Sequence, residues 1–129
     1  MRPAFFGPFG ATSSVAEYGR GETIFTQGDP SAAVLFIRAG GVKLSVVSKT
    51  GREAVVGLLG PGDFFGEGCL AGQRTRTGSA TAITPSAIAT VAKGKMVQLL
   101  QREHATSDQF IAHMLSRNIR MEEDLIDQL

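Results

Sequence analysis

Residues 34–59 read VLFIRAGGVKLSVVSKTGREAVVGLL. Three β-prone runs lie here, Val34–Arg38, Val42–Ser48 and Ala54–Leu59, parted by Gly40-Gly41 and Lys49-Thr50-Gly51. Val42-Lys43-Leu44-Ser45-Val46 alternates apolar and polar residues, placing its valines and leucine on one side of a strand. Outward from this stretch the pattern repeats. Thr23–Thr26 precedes Gln27-Gly28-Asp29-Pro30, Gly60-Pro61-Gly62-Asp63 follows Leu59, and Ser79–Ile83 and Ala87–Ala92 flank Thr84-Pro85-Ser86. Short strands at near-regular spacing point to a sandwich or barrel.

Past Lys93 the period changes from two to between three and four. Fifteen of the sixteen glycines lie at or before Gly78 and no proline follows Pro85, so strands come first and helices last. Met96, Leu99 and Leu100 mark a short helix, and His104 to Thr106 break it. Thr106 and Gln109 have the spacing of a capping box and open a second helix. Ile111, Met114, Asn118, Met121, Leu125 and Gln128 then follow at alternating steps of three and four, a seam interrupted by Asn118. The seam fits a homodimeric coiled coil, in which an Asn118 pair fixes register, or a terminal helix folded back on its own barrel. The helix has no Gly or Pro stop signal, which suggests continuation into another module.

Composition narrows the function classes. The 129 residues fit one domain, able to bury a core without disulfides or metal. Thirteen Lys and Arg against twelve Asp and Glu give a formal charge of +1, which argues against a basic nucleic-acid footprint. One cysteine excludes an internal disulfide framework, and two histidines argue against a His-cluster metalloenzyme. No metal site is expected. No apolar run approaches the ~18 residues of a membrane span. Pro3, Gly7, Pro8 and Gly10 make the start a poor signal peptide. The expectation is a cytoplasmic protein without a membrane partner.

Residues 62–80, GDFFGEGCLAGQRTRTGSA, carry the chemistry. Gly66, Gly68 and Gly72 are spaced one residue too widely for a dinucleotide fingerprint, and no phosphate-loop motif occurs. What remains is a glycine-rich turn with one carboxylate, then two arginines before a β-prone run. Glycines let backbone N–H groups converge on an anion, with a short helical turn adding its positive end. Arg76 offers a fork to a phosphate, Glu67 an acceptor for a sugar hydroxyl, and Thr77 a further hydroxyl. The plainer alternative is a solvated loop in which Glu67 and Arg76 pair with each other. No nucleophile–base pair stands out, so no catalytic residue is assigned and an enzyme is the weakest reading.

Phe65-Gly66-Glu67, eight residues, then Arg76-Thr77 resembles the phosphate-binding cassette of cyclic-nucleotide-binding domains. Upstream, Gly21-Glu22, Gly28-Asp29, Phe36-Ile37, Gly40, Gly51 and Gly62-Asp63 are similar to that family's turn pattern. The chain looks like the CRP/FNR transcription regulators, typified by the catabolite activator and the fumarate–nitrate regulator. The resemblance implies an α+β, mainly β fold: a jelly-roll β-barrel, then a short helix and a long C-terminal dimerisation helix. Residues 1–14 would be an N-terminal arm, 15–104 the β-roll and 105–129 the dimerisation helix, with the DNA-binding domain absent.

It further implies a cyclic nucleotide (cAMP or cGMP) as effector, with no metal. Arg76 would hold the exocyclic phosphate oxygens and Glu67 the ribose 2′-OH. Backbone amides near Gly66, Cys69 and Thr77 would complete the cradle, Gly68 lying in the same turn. Val56 and Leu59 would line the pocket, and Met121 and Glu122 fall where the catabolite activator contacts adenine. The dimer would form along Ile111, Met114, Asn118, Met121 and Leu125. Partners would be a second copy, the small-molecule effector, and DNA through another domain only. Three departures stand out: Gly68 replaces a branched aliphatic residue, Ala71 a bulky one, and Met121-Glu122 stand where the catabolite activator has an adenine-contacting Thr-Ser pair. The alternatives are the same fold with a vestigial site or a non-nucleotide effector, or a haem or redox sensor using Cys69.

Overall fold

The computed structural model describes residues 13–127, with residue 115 and residues 118–127 described as backbone alone. Eight strands come first: β1 (Ser14–Tyr18), β2 (Thr23–Phe25), β3 (Ala33–Ala39), β4 (Val42–Val47), β5 (Glu53–Leu59), β6 (Phe64–Phe65), β7 (Ser79–Ala82) and β8 (Ser86–Ala92). A 3₁₀ turn, Glu67–Ala71, follows β6. Two helices close the chain, α1 (Lys93–Arg102) and α2 (His104–Asp127). The strands form two four-stranded antiparallel sheets in the orders β1-β8-β3-β6 and β2-β7-β4-β5. This nested pairing is the jelly roll.

The apolar run Val34–Ile37 is buried throughout because β3 is covered on both faces. Val34 and Phe36 join Phe64, Cys69, Ala89, Val91, Met96 and Phe110 in a core between one sheet and the helices. Leu35 and Ile37 join Val42, Leu59, Phe65, Ala80 and Ile88 in a second core inside the roll. Adjacent residues of β6 divide in the same way, Phe64 to the helices and Phe65 to the interior. Val42 and Leu44 serve the interior core, as the alternation of that strand predicts.

β1 and β6 escape the sequence reading. β1 is a short edge strand of mostly exposed residues, and β6 is two residues inside a turn-rich segment. The second helix starts at His104 rather than at Thr106. Glu103 alone is extended, with φ −126° and ψ 99°, and its carbonyl accepts from Ser107 N–H at 3.1 Å. Thr106 is therefore not a cap but a buried residue of the first turn.

The face that α2 turns to the roll is offset from the predicted seam. Phe110 stacks on Phe64 at 4.6 Å, the His113 ring lies 4.8 Å from the same ring, and the Arg117 guanidinium sits 4.8 Å above it. Residues 110, 113 and 117 share one helical face, so one phenyl ring seats the helix. Met114 packs inward on the same core, whereas Ile111 is 54% exposed. The side chains of Asn118, Met121 and Leu125 lie outside the described residues, as does the arm before residue 13. No helix among the described residues is long and apolar enough to cross a membrane.

Candidate functional site

Arg76 is fixed first by its backbone. Its N–H donates to Asp29 O at 2.7 Å and its carbonyl accepts from Gly28 N–H at 2.8 Å. Ser31 N–H donates to Arg74 O at 2.9 Å, and Gln27 N–H to Ser79 Oγ at 2.8 Å. The Gln27-Gly28-Asp29-Pro30 turn thus clamps the segment that carries the arginine. Its side chain runs inward and is 8% exposed. Nη1 donates to Gly66 O at 2.8 Å, Nη2 to Ala33 O at 2.9 Å, and the guanidinium lies 4.3 Å over the Phe25 ring. Nε is buried with no hydrogen-bond partner among the described residues. Burial pushes the guanidinium below its ordinary pKa, while Cys69 and Asp29 pull it back up.

Gly66 brings the turn against this side chain. Its φ of 78° is left-handed, and a Cβ there would stand 2.5 Å from Arg76 Nη1. Glu67, next in the chain, does not pair with Arg76. Its carboxylate accepts from Arg117 Nη2 of α2, whose Nη1 donates to Phe64 O. One turn along, Asp63 Oδ1 lies 3.4 Å from His113 Nε2, and its Oδ2 accepts from Gly60 N–H at 3.0 Å. Two carboxylates four residues apart therefore face an imidazole and a guanidinium four apart on α2.

Between cassette, second sheet and helix lies a cavity of about 360 Å³, within the ~300–1,000 Å³ of small-molecule sites. Gly66, Glu67, Gly68, Arg76 and Thr77 are among its lining residues. Phe25, Leu44, Val46, Val56 and Met114 supply apolar wall. Val56 reaches it because the β4–β5 register passes from Leu44–Gly57 to Ser45–Val55, leaving Val56 as the extra residue of a bulge. A buried cation and a largely apolar lining around one cavity suit an anion carrying an apolar body.

Residues 15–103 match the model of the cyclic nucleotide-binding domain. The chain belongs to that family. This cyclic nucleotide-binding domain is 29% identical over 111 residues to the CRP-like cAMP-activated global transcriptional regulator of Mycobacterium tuberculosis, covering 86% of this chain and 50% of that protein. It is 35% identical over 117 residues to the global nitrogen regulator of Synechocystis, covering 89% and 52%. The Thermus thermophilus catabolite activator protein superposes with a TM-score of 0.77 at 27% identity, over 98% of this chain and 59% of that one. The domain spans about half the length of the curated relatives it matches.

Of the predicted ligand residues, the structure brings Gly66, Glu67, Gly68, Arg76, Thr77 and Val56 together around one cavity. Leu59 and the Cys69 side chain lie elsewhere, the part expected of Cys69 being its backbone amide. Leu59 is 3% exposed in the interior core, and the Cys69 side chain is wholly buried against the helices. Alternation accounts for Leu59: paired with Val42, it points between the sheets. Met121 falls among the residues described as backbone alone. Arg117, Met114 and Gln73 escaped the sequence reading of the site. Arg117 carried a signal, standing seven residues after Phe110 and four after His113 on one helical face.

Proposed function

We propose that this domain is the effector-sensing part of a CRP/FNR-like transcription regulator and that its cavity binds a cyclic nucleotide, cAMP or cGMP. The reading rests on Arg76, a buried guanidinium at the wall of a ligand-sized cavity with Nε unpartnered among the described residues. A phosphate there supplies the missing acceptor and offsets the burial of the charge. Glu67 takes the ribose 2′-OH, and the apolar wall takes the base. The relatives' names, cAMP-activated regulator and cyclic AMP receptor protein, support the same ligand class.

In this reading the domain binds and signals rather than catalyses, and it works in the cytoplasm. The ligand shifts the balance between helix arrangements by contacting the cassette that α2 grips, which is differential binding to two states. A second copy docks along α2, where Ile111 is exposed. DNA contact belongs to a separate domain.

One observation favours the second reading, a vestigial site or a non-nucleotide effector: Arg117 already occupies the Glu67 carboxylate. A ligand without a ribose leaves that pair intact. Cys69, sealed in the core, lends nothing to a haem or redox role. Titration calorimetry with cAMP and with cGMP separates the readings. Micromolar or tighter binding, lost in Arg76→Ala that keeps its circular dichroism spectrum, supports the cyclic nucleotide. No heat with either nucleotide leaves the second reading.

A further inference from the structure

Gly68 is not a glycine for the sake of its backbone. Its φ is not positive, unlike those of its neighbours Gly66 and Gly72, so any residue fits that conformation. What a side chain would meet is Gln73. A Cβ at Gly68 would stand 1.8 Å from Gln73 Oε1, 2.8 Å from its Cδ and 3.5 Å from its Cγ. The Gln73 side chain thus lies across the face of the 3₁₀ turn, in space that any larger residue at 68 would take. Its backbone is anchored there, since Gln73 N–H donates to Gly68 O at 3.1 Å. Both residues line the cavity, as does Arg76.

We infer that Gln73 is a ligand-contacting residue that donates from its carboxamide to the anionic oxygens of the bound effector, with Gly68 serving as its seat. The inference rests on the cyclic-nucleotide reading of the cavity. A cyclic phosphate presents two exocyclic oxygens. Arg76 spends one Nη1 hydrogen on Gly66 O and one Nη2 hydrogen on Ala33 O, and its Nε has no hydrogen-bond partner among the described residues. Gln73 carries two further N–H donors and no charge, so it adds donors without adding another buried cation. Glu67, the carboxylate on the same wall, is neutralised by Arg117 and does not repel the phosphate.

Calorimetry with cAMP and cGMP on the wild-type chain, Gln73→Ala, Gln73→Glu, Gly68→Ala, the Gln73→Ala/Gly68→Ala double variant and Arg76→Ala tests it. Gln73 is exposed, so its variants fold as the parent does. Losing a hydrogen bond to a charged group weakens binding about tenfold or more in Gln73→Ala. Gln73→Glu weakens it further, because a carboxylate then faces the phosphate. Gly68→Ala lowers affinity in the parent and adds no loss in the Gln73→Ala background, a coupling that general damage to the turn does not produce. Wild-type affinity in Gln73→Ala and Gln73→Glu, alongside loss in Arg76→Ala, overturns the role of Gln73 and leaves the site reading standing. Absence of binding by the wild-type chain overturns both.

Discussion

Arg117 grips Glu67 across a separation of 50 residues, joining the last helix to the first residue of the cassette turn. The side chains of the pair are 8% and 19% exposed, so neither charge can be stranded cheaply. Arg117→Ala also removes the donor to Phe64 O. It is expected to lower unfolding stability by about 2–3 kcal/mol in urea titration, with an unchanged m-value. Glu67→Gln destabilises less, since it keeps an acceptor for Arg117. The double variant should show coupling above about 0.5 kcal/mol, as contacting residues do.

Gly66 and Gly72 bracket the same turn, both left-handed with φ of 78° and 89°, yet differ in surroundings. Nothing lies within 4 Å of a Cβ at Gly72, whereas one at Gly66 would collide with the Arg76 guanidinium and stand 3.0 Å from Leu35 Cδ1. Gly72→Ala is expected to cost about 1–2 kcal/mol of backbone strain alone. Gly66→Ala should cost about 1–2 kcal/mol more, from unseating Arg76, and should abolish nucleotide binding in calorimetry. Equal costs would refute the role given to Gly66 in placing Arg76.

Cys69 has no exposed surface and packs with Phe64, Met96 and Phe110. A thiol reagent should therefore label the native protein no faster than the protein opens, and label it fully in denaturant. Rapid native labelling would revive a redox role.

Ile111 stands on α2 at 54% exposure. If a second copy docks along this helix, Ile111→Asp shifts sedimentation from dimer to monomer while leaving the circular dichroism spectrum unchanged. A parent that stays monomeric at high concentration rules out the α2 dimer.

The roll was legible because its turns carry glycine, proline and aspartate where the chain reverses, and because the strands are either alternating or wholly apolar. The all-apolar Val34–Ile37 run signals a strand but not which core each residue serves, since both faces are buried. Phe64-Phe65 reads as part of a loop because a two-residue strand has no period. The cassette was legible through spacing, which fixed Arg76 over Arg74. Spacing alone was silent on the partner of Glu67. That partner comes from α2, and the regular step of Ile111, Met114 and Asn118 drew attention to a neighbouring face. The burial of Phe110 and Arg117 shows which face the roll selects. Gln73 was hidden for another reason: glycine at 68 reads as flexibility until the side chain lying over it is seen.

Three side chains of α2 rest on the single ring of Phe64. A helix turns by about 100° per residue, so shifting its register by one position carries all three off that ring together. Gradual rolling of the helix would forfeit the whole set before any replacement formed. Under the proposed function, a helix seated in this way would report on the cassette in discrete steps, and intermediate ligand occupancy would be read as a mixture of two populations.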